Sequence, residues 1–152
     1  MRVVRHLASW GLSLFLIAMF LQGTVHPLPD PPLGQVKLFD LPGENIVFQT
    51  LADRSGYPLF EPFGRVLTAV VELLAALFLV FPLTRRFGAM ISFLIVAVAL
   101  VFHLSPWLGQ DIPISLDPGS TATDGGLLFT LAVSMAVTSI LVIVVHPTRK
   151  RY

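Results

Sequence analysis

Four stretches of this chain, each close to the length of a membrane-spanning helix and nearly free of charge, limit what it can fold into. About 20 apolar residues in a helix cross the hydrocarbon core of a bilayer. In hydrocarbon every backbone N–H and C=O must be satisfied internally, so only helices and closed barrels span it. Apolar runs of this length without strict alternation read as helices. They fall at 7–22, 63–81, 87–108 and 125–145. Composition agrees: the 152 residues are 55% hydrophobic and 12% charged, with a mean hydropathy of +0.80, where soluble domains carry about a quarter charged residues. The residues between the runs are too few for a soluble catalytic domain. The expected fold is all-α: residues 1–152 form a single four-transmembrane-helix bundle, with a long outer loop that carries a short amphipathic helix.

The first run is the weakest, because MRVVR followed by apolar residues also reads as a signal peptide. The LQGTVHP that follows lacks an A-x-A site, so a retained helix is expected. The second and third runs are joined by PLTRRFG, short enough for an antiparallel hairpin, with Pro82 and Gly88 as punctuation. With four spans, Arg2, Arg5, Arg85, Arg86, Arg149, Lys150 and Arg151 share one side, and Lys37, Arg54 and Arg65 lie on or near the other. Every acid except Glu72 lies on that second side. The bias of basic residues toward the cytoplasm then places both termini there.

Two loops are expected outside. The one at 23–60 opens with HPLPDPP, too rich in proline for regular structure. Within it ENIVFQTLAD suits a short amphipathic helix, whose Ile46, Val47, Phe48 and Leu51 would lie on the membrane surface or cap the bundle. The second loop, at 109–124, ends in Asp124 just before the fourth helix, a position for an N-cap. No cysteine is present, which excludes disulfides, thiolate metal sites and dithiol chemistry on this chain alone.

Polar residues fall on faces. Arg65, Thr68, Ala69, Glu72, Ala75, Ala76 and Leu79 share one face of the second helix at 3.6 residues per turn. Small residues mark helix packing in membranes, so Glu72 is expected to face the bundle interior. Burial disfavours its charge, so it is expected to be wholly or partly protonated. Ala89, Ser92, Val96, Ala99 and His103 share a face of the third helix. Thr130, Ser134 and Thr138 form a stripe on the fourth, and Ser9 and Ser13 stand one turn apart on the first. Arg65, His103 and Glu72 could line a polar funnel open to the outside; equally, Glu72 could bond a serine or threonine across the bundle while Arg65 and His103 reach the interface. An intramembrane acid is a functional-site hypothesis by default. His26, His103, Asp124 and Glu72 could converge at the outer face, but no ligand spacing such as H-x-x-x-H is present, and no metal is expected.

The string PFGRVLTAVVELLAALFLVFPLTRRFGAMISFLIVAVALVFHL resembles the DoxX-like membrane proteins of bacteria. It carries Gly-Arg at the start of the second helix, a Glu within it, a Pro-x-x-x-Arg turn followed by Gly-Ala, and His-Leu at the end of the third. TDGGLLFTLA resembles that family's Asp-Gly-Gly start to the fourth helix, and GQVKLF its lysine-bearing segment. The likeness covers most of 35–145; the HPLPDPP insertion and the long 109–124 loop depart from it. The resemblance implies a four-helix inner-membrane bundle in which Lys37, Arg65, Glu72, His103 and Asp124 match the polar positions. It implies a range of roles: relatives include a subunit of a thiosulfate:quinone oxidoreductase, a component of an oxidative-stress complex and, more distantly, a receptor-assembly chaperone.

The chain carries no complete catalytic set and no haem or flavin motif. The leading expectation is an accessory, anchor or assembly subunit of a larger membrane complex, non-catalytic on its own, with a protein partner and the lipid bilayer as its contacts and no nucleic acid. The alternative is a subunit of a membrane oxidoreductase system that binds a quinone or other lipophile, with Glu72 as proton site. A small transporter ranks last, with one intramembrane acid and no interrupted helix.

Overall fold

The computed structural model describes residues 2–26, 36–117 and 119–146. Arg149, Lys150 and Arg151, three of the basic residues in the charge argument, lie outside the described residues, as do Asp30 and most of HPLPDPP. Five α-helices are described: α1 (Arg2–Thr24), α2 (Ile46–Ser55), α3 (Phe63–Val80), α4 (Arg85–His103) and α5 (Leu127–Val145), with a 3-10 turn at Pro58–Phe60. Four of them, α1, α3, α4 and α5, are long and apolar enough to cross a membrane. Among the described residues there is no strand, only an isolated bridge between Pro113 and Thr123.

The four long helices close a ring in chain order. α3 packs on α4, α4 on α5, and α1 completes the ring against both α3 and α5. The core is Leu16, Phe20, Ala75, Ala76, Leu79, Ala89, Val96, Ala132, Ala136 and Val142. Its richness in alanine lets the helices approach closely, which drives association where lipid removes the hydrophobic advantage. Large apolar side chains such as Val101 and Val144 point outward, each 65% exposed. That outward apolar coat is what a chain solvated by lipid presents.

The expected faces of α3 and α4 point inward: Arg65, Ala69, Glu72, Ala75, Ala76 and Leu79 are buried on one, and Ala89, Ser92, Val96 and His103 on the other. Thr68 and Ala99 are half-buried. Ser9 and Ser13 are wholly buried on α1. The stripe on α5 is a correction: Thr130 and Ser134 are exposed, and the buried face is Ala132, Ala136, Thr138, Ser139 and Val142. The reason is local. Thr130 Oγ1 donates to Gly126 O and Ser134 Oγ to Thr130 O, each at 2.9 Å. A hydroxyl bonded to the carbonyl four residues back needs no second helix and can face lipid.

Helix ends also differ from the sequence reading. α1 runs two residues beyond 22, which brings Thr24 into the bundle. α4 stops at His103 rather than 108; Ser105 Oγ donates to Phe102 O at 2.7 Å and Pro106 follows, so the chain turns away. Gly88 is not turn punctuation. It is buried within α4, and a Cβ there would stand 2.8 Å from Leu79 N and 2.9 Å from Phe78 C. α3 and α4 therefore touch backbone to backbone at their hairpin end.

α2 caps the bundle at the end that carries the long connections. Asn45 starts it, its side chain accepting from Phe48 N at 3.2 Å, and Gly56 ends it at φ 74 with its N–H on Ala52 O. Leu51 packs with Leu108 and Ile112 in a second apolar cluster, joined by Val47, Phe60, Phe102 and Leu128. Of the two placements open to this helix, the structure shows the cap over the bundle.

Candidate functional site

Glu72, one of nine acids in the chain, lies well inside α3, buried and fully engaged. Lys37 Nζ donates to both of its carboxylate oxygens at 2.9 Å, and Thr24 Oγ1 donates to Oε2 at 2.7 Å. The side chains of Lys37 and Glu72 are 21% and 8% exposed. A lone carboxyl in hydrocarbon is driven toward its neutral form. Glu72 is not alone: it stands in an ion pair with an added hydroxyl donor, the arrangement that a buried charge requires.

The lysine arrives from the long connection. Val36–Leu38 lies along the end of α1, with Lys37 N donating to Gly23 O at 3.3 Å and Leu38 N to Thr24 O at 3.1 Å. Gly23 makes room for it, since a Cβ there would sit 3.1 Å from Lys37 Nζ. Arg65, in the first turn of α3, braces the same segment: its Nη1 donates to Lys37 O. Its Nε meets both oxygens of Glu61 at 2.8 and 2.9 Å, with both side chains almost fully buried. So the main chain of Lys37 is held by Arg65 and its side chain by Glu72.

A half-open cavity of about 600 Å³ lies beside this pair. Lys37, Glu72, Thr68, His103, Gln22 and His26 supply its polar lining, and the rest is apolar, drawn from all five helices. His103 Nδ1 donates to Gly109 O at 3.0 Å. Phe129 packs edge-on against that ring at 5.7 Å. Leu67 on α3 and Leu94 and Val98 on α4 line the cavity and are also 52%, 63% and 56% exposed. The cavity wall between α3 and α4 is thus also the lipid-facing surface, while Gly88 holds the same two helices together at their other end.

Of the sequence-predicted residues, Glu72, His103 and Lys37 reach this one cavity. Arg65 does not line it and acts through Lys37. The funnel of Arg65, His103 and Glu72 therefore does not form as expected, because Glu61 and the Lys37 carbonyl take up the guanidinium. Asp124 lies outside the cavity too. It accepts from the amides of Ile112, Gly126 and Leu128 at 2.9, 3.0 and 2.9 Å, tying the second loop to the start of α5 although Gly126 holds the formal cap position. Burial pushes its carboxyl up, and those three amides together with Asp111 more than reverse this and hold it below the ordinary aspartate range. Among the described residues no group of three His, Asp or Glu side chains is placed to hold a metal ion.

Several residues escaped the sequence reading. Thr24 falls just past the apolar run at 7–22 but within α1. Glu61 had a legible signal, its spacing of four from Arg65, obscured by Pro62. At the opposite end, Arg85 is wholly buried rather than a simple flanking charge. Its Nε donates to Leu79 O at 3.0 Å and Nη1 to Ser9 Oγ at 3.4 Å, and its guanidinium lies 3.7 Å over the Trp10 ring. Ser9 Oγ in turn meets His146 Nδ1 at 2.9 Å, just past α5. This latch joins α1, α4 and the end of α5.

Comparison with protein-family models, with curated proteins and with solved structures returned no match.

Proposed function

We propose that this chain is a lipophile-binding accessory subunit of a membrane complex, non-catalytic on its own, of the DoxX-like type, and that it sits in a bacterial inner membrane with both termini cytoplasmic. The observation that carries the binding reading is the cavity. A volume of about 600 Å³ lies within the range of small-molecule sites, which are mostly apolar with a few convergent polar groups. Its wall of outward-facing Leu67, Leu94 and Val98 suits a ligand that arrives from the bilayer. A quinone-class molecule fits this chemistry: an apolar tail among the leucines and a polar head toward the end of α1. The motif resemblance over 35–145 supports the family reading, and the basic residues clustered near the termini and the hairpin turn support the orientation.

Glu72 is committed to Lys37 and Thr24, which supports an anchoring role over exchange of protons with a ligand. Without a cysteine or cofactor motif, any electrons must come from a partner, which supports an accessory subunit over a self-sufficient oxidoreductase.

The test is extraction of the protein purified in mild detergent, followed by mass spectrometry of the organic phase. A lipophile near one per chain is expected, lost in an Ala99→Phe variant that fills the cavity. Wild-type protein that carries no such molecule, and whose melting temperature no quinone or prenyl lipid raises, would overturn the binding reading.

A further inference from the structure

The rim of the bundle on the α2 side carries exposed aromatic side chains at two neighbouring span ends. Tyr57 stands immediately before the apolar span Pro58–Val80, and Trp107 lies four residues past the span Arg85–His103. Their rings meet edge-on at 6.3 Å. Trp107 also lies 6.3 Å from Phe102, and Phe102 meets Phe60 edge-on at 5.3 Å. Tyr57, Leu104 and Trp107 are 60%, 67% and 37% exposed. The main-chain N–H of Tyr57 is held by the Ser55 hydroxyl and that of Trp107 by the Ser105 hydroxyl. Among the described residues nothing bonds the Tyr57 hydroxyl or the indole N–H, so both polar tips look outward.

The order of residues along both connections says what covers this rim. Exposed Asp53 and Arg54 precede Tyr57, and exposed Gln110 and Asp111 follow Trp107. On each, the chain passes within a few residues from exposed charge to an exposed aromatic ring and then to an apolar span. Water, headgroups and hydrocarbon are met in that order. Tyrosine and tryptophan collect at this boundary because the ring suits one side and the polar tip the other. The rim is also continuous with the lipid-facing coat, through Leu104 and Val101. Val98, part of the outward-facing cavity wall, stands six residues before Leu104, about 9 Å along a helix, and Leu94 stands about 15 Å before it. Half of a bilayer's hydrocarbon core is about 15 Å thick. That wall therefore lies in the deeper part of a single leaflet.

We propose that Tyr57, Leu104 and Trp107 form an interfacial anchor that seats the α2 end of the bundle in the headgroup layer, so that the cavity opens sideways into the acyl region of the leaflet on that side. The partner of this surface is lipid. The anchor itself is independent of the lipophile-binding reading above; the use of the opening as a ligand's entrance rests on that reading and narrows it. Val47, Phe48 and Leu51 of α2 line the cavity from the anchored end. A ligand then comes from one leaflet, between α3 and α4, and not from the water beyond α2.

The experiment reads depth by tryptophan fluorescence of the full chain in nanodiscs of phosphatidylcholine brominated at acyl carbons 6,7 or 11,12. The chain has two tryptophans, so Trp10→Phe leaves Trp107 as the reporter. Trp107 is expected to be quenched about twofold more by the shallow bromines than by the deep ones, and only weakly by aqueous iodide. In a Trp10→Phe/Trp107→Phe/Val98→Trp variant the order is expected to reverse, which places the wall in the same leaflet, below the anchor. Trp107 quenched by iodide as strongly as free tryptophan, or more by the deep bromines than by the shallow, overturns the anchor. A tryptophan at position 98 quenched more by the shallow bromines overturns the placement of the opening. The Trp107 signal is also available with Trp10 in place, as the difference between wild type and Trp107→Phe, so poor folding of the multiple variants does not shield the idea. None of these readouts needs a bound ligand: a protein extracted without a lipophile would remove the entrance and leave the anchor to stand or fall on its own depth.

Discussion

Lys37 holds two parts of the molecule with two parts of itself, its carbonyl on Arg65 and its ammonium on Glu72. That makes Glu72 costly to leave alone. Lys37→Met removes the cation and strands a buried carboxylate, a change worth about 3 kcal/mol in comparable pairs. Lys37→Met is expected to lower the melting temperature in detergent more than Glu72→Gln does, since glutamine can still accept from Thr24. The double variant is expected to recover at least about 1 kcal/mol relative to the sum of the singles; strict additivity would show that the pair does not couple. That Glu72 would be buried was legible from the alanines at its helical spacing. That lysine would meet it was not, because 35 residues of loop and helix separate the two and no periodicity links them. His103 illustrates the same limit: its inward face could be read from α4, but its partner, Gly109 O, depends on α4 ending early.

Among the elements, the α3–α4 hairpin has a close backbone-to-backbone joint at Gly88. Gly88→Ala would place a methyl 2.8 Å from main-chain nitrogen, and backbone cannot move aside as a side chain can. The hairpin must part, at a cost of about 1–3 kcal/mol. Gly11 is the internal control: it lies mid-way along α1 with nothing within 4 Å of a new Cβ, so Gly11→Ala is expected to stabilise by about 0.5–1 kcal/mol through helix propensity. Thermal unfolding of the two variants should move in opposite directions, and movement of both in the same direction would remove the special role of Gly88. Hydropathy revealed that these helices exist, because the bilayer sets their length. It did not reveal their ends, which are set by caps and by hydroxyls that fold back on the chain. Nor did it place the hydroxyls of α5, since Thr130 and Ser134 satisfy themselves and so carry no preference for the interior.

Across the whole molecule, the two ends of the bundle are closed by different devices: α2 and its apolar cluster at one, and the Arg85–Ser9–His146 latch at the other. Burial, then the neighbouring Arg85 cation, push His146 below the ordinary histidine range, against an opposing pull from the Pro82 carbonyl; Arg86 and His6 add to the lowering. A base with a depressed folded value gives stability that is fully present above its unfolded value, near 6.5, and is lost as pH falls through the folded value. Protonated at Nδ1, the ring would present a second donor to Ser9 Oγ, which already accepts from Arg85. The melting temperature is therefore expected to fall between about pH 7 and pH 5, and His146→Gln to flatten that fall. An unchanged pH profile in the variant would show that the latch does not titrate.

The hydroxyls of Ser13, Thr68, Ser92, Thr130, Ser134, Thr138 and Ser139 each bond the carbonyl four residues earlier in their own helix. Each of those hydroxyls is thus satisfied before its helix meets a neighbour. The Glu72 carboxyl is bonded differently: its two partners, Thr24 and Lys37, lie on other segments and precede it in the chain. Made from the N-terminus onward, the protein has finished the countercharge for its one intramembrane acid before that acid is synthesised, so α3 can enter the bilayer against a waiting partner rather than carry a bare carboxylate into lipid.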